Sequence, residues 1–399
     1  MFQPLAGIRV LDLSHLVAGP YCTYLLAMMG AEVVKVEPPE GEWTRGQGSD
    51  RALNEARMGI TFLAQNAGKR SITVDLKHPR GVEVVRRLAG RSHVFLENMR
   101  PGVIRRLGLD YEVLNEINPA LVYCSLSGFG QTGPLSHRPA YDHVIQGISG
   151  LMSINGHPGE DPVKVGAPFI DYASGLNAAL AVVSALHEVR RTGRGCRLDV
   201  AMLDSVLNLL TLNIVEYVNA GKVPRRIGND APSGVATAGA FHASDRLLLV
   251  AANADAHFRP LATTIGLPGL PDDPRFATPA LREQNRDALR ALISEAIAKR
   301  PAAEWEGLLD RAGVPATWPR TIPEIVEEPH LRGRGVVQTV EGTPGKPELA
   351  VTSLGWQIDG QAVGPRSGAP SLGADTREVL RECGFAEDEI DSLRADGAI

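Results

Sequence analysis

The chain has 399 residues, of which 44% are apolar and 22% charged, and its net charge is −5. That length exceeds one small core, so two domains or one large α/β body is expected, and the small net charge supplies no global field for nucleic acid or an anionic membrane. The four cysteines, Cys22, Cys124, Cys196 and Cys383, stand far apart with no CxxC pair, so they read as isolated reduced thiols rather than a disulfide frame or a zinc site.

The opening MFQPLAGIRV lacks the basic and apolar regions of a signal peptide, and the longest apolar run, Leu176 to Leu186, falls short of the roughly 20 residues of a membrane span. A soluble cytoplasmic protein without a membrane or nucleic-acid partner is expected. IRVLDLS, from Ile8 to Ser14, reads as a buried strand, Tyr21–Met29 as a helix and Glu32–Glu37 as a second strand. This βαβ pattern implies a parallel sheet. Further along come a helix at Arg80–Leu88, strands at His93–Glu97 and Leu121–Leu126, a helix after Asp171 and a strand at Arg197–Ala201. A helical stretch follows near Met202–Val218. Residues 221–245 are then rich in Gly, Pro, Arg and Ala, before a strand at Arg246–Ala254 and helices at Asn285–Lys299 and Ala302–Ala312. Strand candidates near Gly335–Val340 and Leu349–Thr352 precede a charged terminal helix. The expected fold is α/β: a Rossmann-like large domain with a parallel sheet over 1–225, a smaller α+β domain over 226–325, and a segment 326–399 that returns to the first.

Glu37 ends the second strand where a ribose-binding acid would sit in a dinucleotide fold. The turn before it reads HLVAGP, however, with one glycine in place of G-x-G-x-x-G, so nothing lets the backbone approach a pyrophosphate and a dinucleotide is disfavoured. Between Lys69 and Arg106 lie ten basic residues against three acidic ones. Arg86, Arg87 and Arg91 fit a solvated helix face; the others fall at strand ends and turns, where arginines hold phosphate through paired hydrogen bonds. Aromatics are 5% of the chain and do not interleave with this charge, which favours a phosphorylated small molecule over a nucleic acid.

Within GAPFIDYASG, Asp171 stands between an apolar run and the helical LNAALAVVSALHEVRR. Two roles fit it. Aspartate is a preferred helix N-cap, worth about 1 kcal/mol, and on the residues alone that is the commoner use. A carboxylate at the positive end of a helix also stays ionised and is available as a nucleophile.

The runs LDLSHLVAGPYCTYLLAMMGAEVVKVEPPEG, NAGKRSITVDLK, VFLENMRPGVIRRLGL, YCSLSGFGQTGP and PAYDHVIQGISGLM, in that order and spacing, resemble the class III (CaiB/BaiF-type, formyl-CoA transferase-like) CoA-transferases. The resemblance is strong over residues 5–205 and continues through GNDAPSGVATAGAFHASDRLLLVAANA and AGVPATWPR. It implies an interlocked homodimer that moves CoA from an acyl-CoA donor to a carboxylic acid, with CoA carried as substrate and no metal or bound organic cofactor. By position it implies that Asp171 is the catalytic nucleophile and that Val17, Ala18, Val74, Asp75, Leu76, Lys77, Asn98, Met99, Arg100 and Arg106 contact CoA.

Where many members carry an arginine this chain has Pro38, and Arg45 in the next loop is the candidate to compensate. Tyr141 occupies the position of the histidine base of the related α-methylacyl-CoA racemases, thirty residues before Asp171, and Asp142 matches an acid expected to order the site. Racemase activity is disfavoured because a tyrosine, with an ordinary pKa of about 10, is a poor base near neutrality. His143, read as lying on a strand, would face the other way. The run PSGVATAGA, Pro232 to Ala240, stands where formyl-CoA transferase has four glycines, which argues against oxalate. A small dicarboxylyl-CoA such as succinyl-CoA is the expected donor. A racemase or CoA-ester isomerase, and a non-catalytic CoA-ester binding protein, are the alternatives.

Overall fold

The computed structural model describes residues 3–399. The chain divides into two compact units, one of residues 3–151, 164–222 and 328–399, the other of 152–163 and 223–327. The short piece 152–163 therefore departs from the expected contiguous 1–225, while 328–399 groups with the first unit.

In the larger unit the strands are β1 (Arg9–Asp12), β2 (Glu32–Glu37), β3 (Arg70–Thr73), β4 (Val94–Glu97), β5 (Val122–Ser127) and β6 (Cys196–Ala201). They form one sheet in the order β3-β2-β1-β4-β5-β6, every pair parallel. The central strands read as continuous apolar runs because helices cover both faces; β4 and β5 are buried throughout. The four-residue β3 was hidden in sequence by Arg70 and by the loop-like residues around it. Helix α1 (Ala18–Met28) crosses from β1 to β2, and α2 (Pro79–Ala89) precedes β4. Val84, Val85 and Leu88 of α2 pack in the core with Ile72 and Phe95.

Helix α3 (Asp142–Ile148) precedes α4 (Phe169–Thr192), which packs along α1 and beside β5 and β6; α5 (Met202–Leu209) and α6 (Thr211–Ala220) follow. Helix α4, at 24 residues, is the one described helix long and apolar enough to cross a membrane by length and composition, but Ile170, Ala178, Val182 and Leu186 bury in this unit as on a core helix. Gly175 explains how closely α4 approaches α1: a Cβ there would stand 2.6 Å from the carbonyl oxygen of Ala18.

The smaller unit carries an antiparallel sheet of β7 (Ala238–His242), β8 (Leu247–Ala251) and β9 (Ala316–Thr317), with helices α7 (Phe258–Thr264), α8 (Arg286–Ile297) and α9 (Ala302–Arg311). Phe241, Phe258, Phe276, Ile293 and Trp305 share its core. The returning segment forms the hairpin β10 (Val337–Thr343) and β11 (Lys346–Thr352), then helices α10 (Thr376–Glu382) and α11 (Glu387–Ala395). Val379, Leu380, Ile390 and Leu393 of those helices enter the core of the larger unit.

Candidate active site

In this strand order the topology reverses between β1 and β4, and the loops leaving them diverge to open a crevice at the carboxyl edge of the sheet. Asn98, just after β4, closes the base of that crevice. Its side-chain oxygen accepts from the His15 amide at 3.0 Å and its amide donates to the His15 carbonyl at 2.8 Å, tying the two loops together. Leu16 then turns through a left-handed backbone (φ 68°) and α1 begins at Ala18 without a side-chain cap. Its first amides therefore have no side-chain acceptor.

Two adjoining cavities occupy this edge, of about 660 and 400 Å³. They share His15, Leu16, Trp43 and Met99. Val17, Ala18, Asn98, Arg100, Tyr141 and Asp171 line the larger; Val74, Asp75, Leu76, Lys77 and Pro38 line the smaller. Of the residues expected to contact CoA, Arg106 alone lines neither.

Asp171 is not a cap. Helix α4 starts two residues earlier, at Phe169, and the capping is done from another helix: the Asp142 carboxylate accepts from the amides of Ile170 at 2.7 Å and Asp171 at 3.1 Å. Gln146, one turn along α3, donates to the other Asp142 oxygen at 2.6 Å and accepts from the amide of Val165 at 2.8 Å. The Asp171 carboxylate is thereby left without a hydrogen-bond donor among the described residues. Burial, then the neighbouring charge of Asp142, pushes its pKa up to about 7. Tyr172 packs edge-on against Tyr21 of α1 at 4.8 Å, so the two helix starts are held side by side.

Residues 141–143 enter a helix and do not run as a strand, which corrects the expected placement of His143. Its ring lies parallel to that of Tyr141 at 6.3 Å, and both line the cavity with Asp171.

Arg45 is also not where the sequence suggested. It is fully buried, paired with Glu37 at 2.6 and 2.7 Å and stacked over Phe62 at 3.7 Å, so it supports the loop from within and does not stand in for a ligand contact at Pro38.

Most of the basic stretch is neutralised inside the fold. Lys69 is buried on Asp12 at 3.2 Å; burial pulls its pKa down to about 8 against the attraction of Asp12. For Asp12, burial raises the pKa, but Lys69, Lys35 and the hydroxyls of Ser14 and Thr23 outweigh it and hold the carboxyl at about 2. Arg70 pairs with Glu32 and Glu382, Arg80 with Asp396 and Arg87 with Glu389. Lys77 and Arg100 remain exposed, without an ion-pair partner among the described residues, and face the cavities.

Sequence reasoning missed His15 and Trp43, whose only signal was their place in loops after β1 and β2. Among the described residues no group of three or more His, Cys, Asp or Glu side chains is arranged to hold a metal ion.

The sequence profile of CoA-transferase family III matches residues 5–376. The chain belongs to this family. It is 38% identical over 348 residues to the acetyl-CoA:oxalate CoA-transferase of Acetobacter aceti, covering 86% of this chain and 88% of that one. It is 35% identical over 400 residues to the succinyl-CoA:glutarate CoA-transferase of Mus musculus, covering 100% and 90%. Among solved structures, a CaiB/BaiF family protein from Brucella suis superposes with a TM-score of 0.85 at 35% identity, over 96% of this chain and all of that one. The protein is a class III CoA-transferase, which moves CoA from an acyl-CoA to a carboxylic acid and carries CoA as substrate.

Proposed function

We propose that Asp171 is the covalent nucleophile of an acyl-CoA:dicarboxylate CoA-transfer. The observation that carries this is a carboxylate in the larger cavity, at the start of α4, with its own helix already capped by Asp142 and no donor of its own. The Asp171 oxygen attacks the thioester carbonyl and expels CoA thiolate, leaving a mixed acyl–aspartyl anhydride. The thiolate attacks the aspartyl carbonyl, which releases the donor acid and leaves an aspartyl-CoA thioester. The acceptor carboxylate attacks that thioester to give a second anhydride, and the thiolate takes the acceptor acyl group, freeing Asp171. Each tetrahedral oxyanion is stabilised by the uncapped amides at the start of α1, where Val17 and Ala18 line the cavity.

The donor is a small dicarboxylyl-CoA, with succinyl-CoA first, and the acceptor a short dicarboxylate. The names of the relatives support that class. Because an oxalate transferase stands among them, the lack of a four-glycine run does not remove oxalate from the candidate acceptors. Lys77, in the smaller cavity, is the cation for the phosphates of CoA, and Arg100, in the larger, contacts CoA nearer its thioester; Val74, Asp75, Leu76, Asn98 and Met99 form the walls, and Arg106 reaches CoA only by moving.

In the test, the protein is mixed with succinyl-CoA, treated with hydroxylamine and digested. A hydroxamate on the peptide carrying Asp171, absent from Asp171→Asn, is the expected result. An unmodified peptide despite CoA binding would sink the covalent mechanism. The second reading, a CoA-ester racemase, keeps one observation in its favour, since His143 and Asp171 line the same cavity. It requires exchange of the α-proton with deuterated solvent, and no exchange is expected.

A further inference from the structure

Trp43 is 67% exposed, while Glu42, Thr44 and Arg45 around it are buried. A large indole held out in solvent by buried neighbours is unusual, because aromatic side chains contribute most when covered. Its ring makes no aromatic or cation–π contact among the described residues, and it lines both cavities of the carboxyl edge.

The turn that carries it is fixed from beneath by charge. The Lys35 ammonium, fully buried on β2, donates to the Ser14 carbonyl at 2.8 Å and pairs with Glu42 at 3.2 Å. One buried cation thus joins the loop after β1, which carries His15, to the turn that carries Trp43. On the far side Arg45 is clamped by Glu37. Removing one partner from a buried ion pair leaves an uncompensated charge, so such a turn resists rearrangement.

We infer that Trp43 is the surface on which the middle of the acyl-CoA chain lies, where the phosphate-bearing end passes into one cavity and the thioester into the other, and that the Lys35–Glu42 pair is its positioning device. A preorganised aromatic wall binds a flexible pantetheine arm without first having to be ordered itself.

The inference rests on the CoA-transferase reading, so the wild-type enzyme is first titrated with CoA by calorimetry. Trp43→Ala is expected to raise the CoA Kd and the KM for succinyl-CoA about tenfold while kcat changes less than about threefold, and Trp43→Phe to recover most of the loss. Glu42→Gln should raise KM in the same direction, with the double variant adding little to Trp43→Ala. Fluorescence gives a readout apart from turnover: CoA should change the indole emission of wild type and leave that of Trp43→Phe unaltered. Trp43→Ala that binds CoA as tightly as wild type overturns the inference and leaves the transferase standing. A wild-type chain that binds no CoA overturns both.

Discussion

A carboxyl with a pKa of about 7 is divided between two protonation states at neutral pH, and only the ionised one attacks a thioester. For Asp171, therefore, kcat/KM should rise with pH and level off above about 7, measured in the free enzyme with limiting acyl-CoA. Burial is the larger cause of the raised value and the charge of Asp142 the second. Asp142→Asn removes only the second, so the rising limb should move toward acid without reaching the ordinary aspartate range. A limb that stays in place would show that Asp142 acts only as the cap of α4. That Asp171 lines a cavity with expected CoA contacts such as Val17, Ala18 and Arg100 was legible in sequence because its flanking motifs are long and ordered. Its relation to Asp142 was not, since the cap comes from 29 residues upstream on a different helix. His143 was misplaced because a strand was assumed there, whereas Asp142–Ile148 is a helix too short for its period to stand out in the sequence.

The pairing of α1 with α4 sets the distance between the amides at Val17–Ala18 and the carboxylate at Asp171. Gly175, one turn beyond Asp171, makes the approach possible: an added Cβ would meet the Ala18 oxygen at 2.6 Å and the Tyr21 ring at 3.0 Å. In an open helix Gly→Ala gains about 1 kcal/mol of propensity. Here overpacking against backbone costs about 1–3 kcal/mol and outweighs it. Gly175→Ala should therefore lower the melting temperature by about 1–3 °C and reduce kcat, because α1 and Asp171 are pushed apart. A variant as stable and active as wild type would mean that the helices can slide without consequence. Long apolar strands were legible from their runs, and β3 was not, because four residues containing Arg70 and two hydroxyls carry too little pattern.

Across the whole molecule, sequence separation explains the misread basic stretch. Arg70, Arg80 and Arg87 find their acids in Glu382, Asp396 and Glu389, about 300 residues away, so a local charge count overstated the field left for a ligand. The same distance argument bears on α6. None of its residues is buried, yet Leu212, Val215, Tyr217 and Val218 are exposed on ten residues of helix, with Leu212 at 68% and Val218 at 71%. If a helix so apolar and so bare finds its cover outside the chain, a second copy is the occupant that the resemblance implies. Light scattering after size exclusion should then give twice the 42.7 kDa of one chain. If the two chains are interlocked, dilution alone will not separate them, and mixed tagged and untagged dimers will form only after unfolding. Leu212→Glu with Val218→Glu should lower the dimer yield during refolding. A wild-type monomer at micromolar concentration, or free exchange of subunits in the native state, would refute the interlocked dimer and leave the apolar face of α6 without its second copy.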